Sequence, residues 1–322
     1  MSSATEVDNS IYYVPERGWY PVFLAFGLMV LVTGLGSWLN ETRAGEAGSW
    51  TQSLIGLAIT SFVLYCWFAK VISENAQGMN NAMLNRSYVW GMGWFIFSEV
   101  MFFAAFFGAL FYVRALVVPW MGGEGDKGLT GTYLWPEFEA VWPVISNPDP
   151  ALFTNPGNTM APPITASGWA TYLPFLNTVI LLSSSVTVHF AHTAIKQENR
   201  TKLISWLGFT VLLGIVFLGL QVEEYIVAYR DMGLTLGSGI YGSTFFLLTG
   251  FHGFHVTMGT FILLVQLFRA LKGHFSHKDC FGFEAASWYW HFVDVVWVGL
   301  FIFVYVLYTR FHTKKGPSGP FF

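Results

Sequence analysis

Residues 281–301 read FGFEAASWYWHFVDVVWVGLF. The run is long enough to cross a bilayer and apolar almost throughout, yet it carries Glu284, His291 and Asp294. At about 100° per residue, these three fall within roughly an 80° arc of one helix face. Burying ionisable groups in hydrocarbon costs several kcal/mol each. A helix that keeps them there uses them for proton handling, ligand contact or tight pairing with a neighbouring helix.

The rest of the chain fits that setting. Of 322 residues, 54% are hydrophobic and 11% are charged, whereas a soluble domain carries about 25% charged residues. The composition is that of an integral membrane protein. An aromatic share of 19% suits helix interfaces and headgroup belts. A net charge of −3 and the lack of any basic run argue against nucleic acid as a partner. Cys66 and Cys280 stand far apart with no CxxC, so neither a disulfide framework nor a thiolate metal site is expected. The opening residues are acidic (Glu6, Asp8, Glu16 against Arg17) and the apolar segment behind them is of full spanning length. We therefore expect that segment to stay as a helix rather than act as a cleaved signal.

Charge-poor runs mark the spans: 18–40, 47–69, 87–113 (holding Glu99), 169–195 (holding His189 and His192), 203–222, 232–268 (holding His252 and His255) and about 283–309. Each reaches the roughly 20 residues that a spanning helix needs. Backbone in lipid must satisfy its own hydrogen bonds, which predicts seven α-helices and an all-α polytopic fold. Residues 116–168 interrupt the pattern with Pro, Gly, Asn and Trp, and read as a long loop outside the membrane. The expected division is an N-terminal segment 1–18, helices 1–2 within 19–75, helices 3–7 within 84–312, and a tail 313–322.

Lysine and arginine placement sets the orientation. One side holds Arg17, Lys70, Arg86, Lys196, Arg200, Lys202, Arg269, Lys272 and Lys278; the other holds Arg43, Arg114, Lys127 and Arg230. The N-terminus is placed in the cytoplasm and the C-terminus outside, although Arg310, Lys314 and Lys315 in the tail pull the other way. The character of the loop and tail suggests a bacterial inner membrane with a periplasmic C-terminus. No internal repeat supports an inverted-repeat transporter.

The intramembrane polar residues are the candidate site. Glu99 sits near mid-span, so it is expected to be neutral or paired across helices. His252 and His255, like His189 and His192, are spaced i, i+3 and share a helix face. Such pairs are able to ligate a metal or haem iron, but no Cys or acidic cluster completes a coordination shell. Interhelical hydrogen bonding is the expectation, and no metal site is assigned. Glu223 and Glu224 are adjacent and point about 100° apart: one is free to face the bundle and the other the interface. Arg269, Lys272 and His274 end the sixth span, where a basic cluster satisfies the positive-inside rule and is also able to hold an anionic lipid headgroup. No phosphate loop, dinucleotide fingerprint, nucleophile elbow or zinc-protease motif occurs. No catalytic residue is therefore assigned.

Four blocks in one order carry a resemblance: GMGWFIFSEVMFFAAFF at 91–107, YLPFLNTVILLSSSVTVHFAH at 172–192, IYGSTFFLLTGFHGFHVTMGT at 240–260, and FGFEAASWYWHFVDVVW at 281–297. They resemble subunit III of the haem–copper cytochrome c oxidases. The resemblance is strong over helices 3–7 and weaker over helices 1–2. It implies a subunit without haem or copper, split two plus five around a lipid-filled cleft. Such a subunit packs against subunits I and II of a proton-pumping aa3-type oxidase, whose partner subunits hold the haem and copper and whose donor is cytochrome c. There it would stabilise subunit I, bind phospholipid and support proton uptake. Glu99 is similar to the family's carbodiimide-reactive glutamate and Asp294 to the aspartate of its last helix. Glu74, Arg269, Lys272 and His274 are similar to its lipid-headgroup residues. The family often reads QGH after helix 2, but here the residues are Gln77, Gly78 and Met79, so one lipid-contacting histidine is replaced.

Three other readings make different demands. Subunit III of a quinol-oxidising haem–copper oxidase typically lacks the first two helices, and the spans at 18–40 and 47–69 argue against it. A histidine-ligated haem carrier predicts a haem spectrum from this chain alone. A transporter predicts flux without other subunits. On the leading reading, Glu284, His291 and Asp294 form a polar seam fastening the last helix to its neighbours.

Overall fold

The computed structural model describes residues 18–79, 81–149, 151–275 and 280–307. The expectations for 1–17, Lys278 and the tail lie outside these residues. Seven helices are long and apolar enough to cross a membrane: α1 (Tyr20–Arg43), α2 (Thr51–Ala76), α3 (Ala82–Tyr112), α4 (Leu173–Lys196), α5 (Arg200–Arg230), α6 (Gly239–Leu271) and α7 (Phe281–Leu300). No strand occurs among the described residues.

Several helices outrun the charge-free runs that announced them. The third span continues without a break through π-helical turns at Val113–Val117 to Met121. Residues 116–121, expected in the loop, are thus helical. The continuation carries Arg114, whose guanidinium donates to the carbonyls of Phe303 (2.9 Å) and Leu307. α5 runs eight residues past the 203–222 run and so includes both Glu223 and Glu224. By contrast, α6 starts only at Gly239, because residues 232–238 form a turn rather than helix. Polar side chains near helix ends reach the interface, so a charge need not end a span.

The ends have local causes. Pro174 stands in the first turn of α4, where its missing N–H costs nothing. Asn199 caps α5 by accepting from the Lys202 N–H at 3.0 Å. Gly273, at φ 76°, closes α6 in a left-handed turn that lets His274 N–H reach the Arg269 carbonyl.

The chain forms two compact units, divided between Gly91 and Met92. In the first, α1 and α2 pack through small residues: Gly27 and Gly34 of α1 are buried, as are Ser53, Gly56 and Thr60 of α2. A Cβ on Gly56 would lie 2.3 Å from the Leu31 backbone nitrogen. Helices associate in lipid by such close backbone approach rather than by hydrophobic burial.

The second unit holds the main core, built around Trp290, Trp297, Tyr305, Phe217, Phe245 and Phe283. Its long loop is pinned rather than loose. Thr154 N–H bonds the Gly237 carbonyl, and Gly157 and Asn158 N–H both bond the Met232 carbonyl. Tyr241 Oη accepts from Met160 N–H, and Tyr172 Oη donates to the Met160 carbonyl. Trp142 is buried edge-on to Tyr241.

Candidate functional site

Glu99 of α3 meets His255 of α6. Glu99 Oε2 lies 2.9 Å from His255 Nε2, with side chains 23% and 8% exposed. The other ring nitrogen, Nδ1, lies 2.6 Å from the Phe251 carbonyl. A carbonyl only accepts, so Nδ1 carries a hydrogen. The Glu99 contact then holds a single proton, as a carboxylic acid donating to a neutral ring or as a carboxylate accepting from an imidazolium. Aromatic rings flank His255: Phe103 stands edge-on at 4.9 Å and Tyr289 stacks at 6.4 Å.

His252 shares a face with His255 but takes a different partner. Its Nε2 lies 3.2 Å from the Val293 carbonyl of α7, and its ring packs on Trp297 and Phe217. The two histidines therefore do not converge on one point.

The polar face of α7 meets α4 about every two turns. Glu284 Oε1 lies 3.2 Å from His192 Nε2 and accepts from Cys280 Sγ at 3.7 Å. His291 Nδ1 lies 2.8 Å from Ser185 Oγ. Trp297 Nε1 donates to Thr178 Oγ1 at 2.9 Å. Between these, Trp290 Nε1 donates to Ser184 Oγ, also at 2.9 Å. Residues 192, 185 and 178 descend α4 as 284, 291 and 297 climb α7, so the helices are antiparallel and in register. Asp294 is buried, its Oδ2 3.5 Å from His291 Nδ1, which is ion-pair range but long for a hydrogen bond. His189 is exposed and stands apart from this row.

Glu223 and Glu224 separate as their 100° offset demands. Glu223 is exposed; Glu224 is fully buried and accepts from Tyr305 Oη at 2.7 Å. Its partner was missed in the sequence, as were Ser184, Ser185 and Thr178, because small hydroxyls and a terminal tyrosine carry no charge signal.

The basic cluster sits at the end of α6. Arg200 donates to the Ala270 and Leu271 carbonyls and so takes over the capping of that helix. Lys272 and His274 are exposed beyond it. Arg269 bonds Gln266 Oε1 at 3.2 Å and lies over the Phe275 ring at 4.7 Å. Glu74, in the first unit, pairs with Lys70 at 3.7 Å.

Among the described residues, no three His, Cys, Asp or Glu side chains are placed to hold a metal ion. These features define a polytopic membrane protein whose intramembrane polar groups pair across helices instead of meeting at one centre. The family model described as cytochrome c oxidase subunit III matches residues 11–124 and 155–309, leaving out 125–154 of the long loop. Curated proteins named cytochrome c oxidase subunit 3 align over nearly the whole length. The one from Aedes aegypti is 39% identical over 94% of this chain and 98% of its own. That from Drosophila melanogaster is 38% identical over 92% and 97%, and that from Pongo abelii 37% over 91% and 96%. The chain belongs to the cytochrome c oxidase subunit III family, and so is a membrane-embedded subunit of an oxidase complex whose partners are oxidase subunits. These relatives favour the cytochrome c branch over the quinol-oxidising one.

Proposed function

We propose that this chain is the non-redox subunit III of a proton-pumping aa3-type cytochrome c oxidase. It packs with subunits I and II, stabilises subunit I through turnover and supports proton uptake during oxygen reduction. Haem and copper reside in the partner subunits, and cytochrome c delivers the electrons. The observation that carries this reading is the Glu99–His255 pair. It is a proton-sharing carboxyl–imidazole contact inside a spanning segment, with the carboxyl side still partly open.

The same reading assigns bound phospholipid to the chain. Lys272 and His274 support it, since Arg200 caps α6 and leaves both side chains exposed at the basic end. Arg269 is a further proposed headgroup contact beside these, and Glu74 is proposed as one within the first unit. Asp294, His291, Glu284 and His252 serve as the interhelical polar seam that holds the last helix in place.

For location, we propose a bacterial inner membrane with a cytoplasmic N-terminus and a periplasmic C-terminus. This rests on the Lys and Arg asymmetry and on the loop; the animal relatives lend it no support. The loop, which begins after Met121 rather than at residue 116, would then face the periplasm and meet a partner subunit or the electron donor. Unchanged assembly and donor kinetics after deletion of 125–139, which stops short of buried Trp142, would sink that role.

Replacing Glu99 by Gln in the assembled oxidase tests the main reading. Haem spectra should stay intact while proton uptake slows or activity decays over fewer turnovers. Loss of haem absorbance would instead point to ligation. Removing the whole chain should leave oxygen reduction working but progressively inactivating; immediate loss with subunit I intact would overturn the supporting role.

A further inference from the structure

The second unit is layered around the large rings of α7 and of the turns that continue it to Val306, and one end of it gathers buried amides beside a buried carboxyl. Trp290 bonds Ser184 of α4, and a Cβ on Gly214 of α5 would touch its ring at 3.0 Å. Two turns further on, Trp297 bonds Thr178 of α4 and packs edge-on against Phe217 of α5 at 4.8 Å. Beyond Trp297, towards Tyr305, come Asn177 of α4, beside Thr178, and Gln221 and Glu224 of α5, of which Glu224 meets Tyr305. Gln221 lies four residues beyond Phe217, and Glu224 three beyond Gln221, on one face. The α4–α5 register agrees: Thr187 Oγ1 meets Thr210 Oγ1 at 2.7 Å, which puts Asn177 level with residues 220–221 of the antiparallel helix.

Asn177 and Glu224 are fully buried and Gln221 is 5% exposed. Tyr305 Oη reaches Glu224 Oε1. Five side-chain atoms of these residues have no partner among the described residues: Asn177 Nδ2 and Oδ1, Gln221 Nε2 and Oε1, and Glu224 Oε2. Buried polar atoms are rarely left so, and each costs its full desolvation when they are. Here five of them fall on two packed helices, one of the five on a buried carboxyl.

The chemistry of the orphans selects the ligand. Asn177 and Gln221 each present an amide donor as well as a carbonyl acceptor. A cation would satisfy the acceptors and leave Nδ2 and Nε2 unmet; an anion would do the reverse and face Glu224. Water alone donates and accepts, and a buried water typically holds two to four polar partners. We propose that Asn177, Gln221 and Glu224 form an internal binding site for a small group of ordered waters, which solvates the Glu224–Tyr305 pair inside the bundle.

These residues lie towards the end of the bundle that the loop covers. α4 begins four residues before Asn177 and α5 ends six after Glu224. Above them, Tyr172 and Tyr241 clamp Met160 by its carbonyl and its N–H. The waters are therefore held beneath a pinned stretch of loop, and Glu224 is a buried acid with a hydrogen-bonded solvent of its own.

The assembled oxidase provides the test, at a resolution that shows ordered water. Density is expected within hydrogen-bond reach of Asn177, Gln221 and Glu224, at about 2.7–3.2 Å. Amide side chains bonded directly to one another, or to Glu224, with nothing between would overturn the proposal. This outcome is decided on the wild-type complex, so it does not depend on any variant folding. As a second reading, Glu224→Gln identifies the infrared carboxyl band of Glu224 by its disappearance. In the double variant Asn177→Leu, Gln221→Leu that band should shift as the waters leave; a band at unchanged frequency would count against them.

Discussion

Glu99 and His255 stand 2.9 Å apart across α3 and α6, and the Phe251 carbonyl on the far side of the ring settles how many protons they share. Because Nδ1 is committed to that carbonyl, only Nε2 faces the acid, and one proton lies between the two groups. Neither an empty carboxylate–imidazole contact nor a doubly protonated one makes this bond. The α6 helix thereby offers Glu99 a partner whose orientation its own backbone fixes.

His255→Leu should therefore change the Glu99 carboxyl without touching haem. In the assembled complex, the Glu99 infrared band, identified by its loss in Glu99→Gln, is expected to move to a different frequency in His255→Leu. Haem absorbance should remain as in the wild type. A band at the same frequency in both proteins would show that the ring does not bond the acid in the complex.

The α1–α2 pair gives a steric prediction with its own control. A side chain at Gly56 would put Cβ 2.3 Å from the Leu31 nitrogen, a contact with rigid backbone that cannot turn away. Overpacking of this kind typically costs about 1–3 kcal/mol. Gly56→Ala should lower the thermal midpoint at which this subunit leaves the purified complex. Gly36 lies on the same hairpin with nothing within 4 Å of its Cβ position. Gly36→Ala should leave the midpoint unchanged or slightly raised, since alanine favours helix over glycine by about 1 kcal/mol.

The spans were legible because hydrocarbon demands long apolar runs whatever the tertiary fold. The facing of Glu224 was legible as one of two options, since neighbouring residues on a helix cannot share a direction. The partners were not. His192, Ser185 and Thr178 meet Glu284, His291 and Trp297 only once two antiparallel helices are in register, and serines and threonines in a span bond their own helix just as readily. Helix ends were misjudged for a related reason. Arg114 ended the third run on paper, but the carbonyls of Phe303 and Leu307, nearly two hundred residues away in sequence, satisfy it and let the helix continue.

Trp290 is the densest point of that register. It is fully buried, donates to Ser184, and lies against both Gly214 and Gly259, whose Cβ positions fall 3.0 and 2.9 Å from its ring. Neither glycine has a side chain to refill the space. Trp290→Ala is expected to cost about 3–5 kcal/mol, in line with large aromatic truncations in cores. Trp288, two residues away and 38% exposed, faces outward. Trp288→Ala should shift the thermal midpoint of the complex far less; equal losses at both positions would contradict the packing described.

At the end of α6, capping and the proposed lipid contact fall to different residues, so they should separate by mutation. Arg200 takes the Ala270 and Leu271 carbonyls, while Lys272 extends past them into the open. Lys272→Gln should leave thermal stability as it is and reduce co-purifying anionic phospholipid about fivefold, since a basic side chain near an anionic surface contributes about 1 kcal/mol. The loss should shrink at high salt, which screens exposed charges. Arg200→Gln should do the opposite: it strips two hydrogen bonds from the helix end and lowers the thermal midpoint, with Lys272 still in place to hold lipid. Lipid content measured by mass spectrometry on both variants, beside their melting curves, distinguishes the two roles. Unchanged anionic lipid in Lys272→Gln would remove that residue from the proposed headgroup contacts.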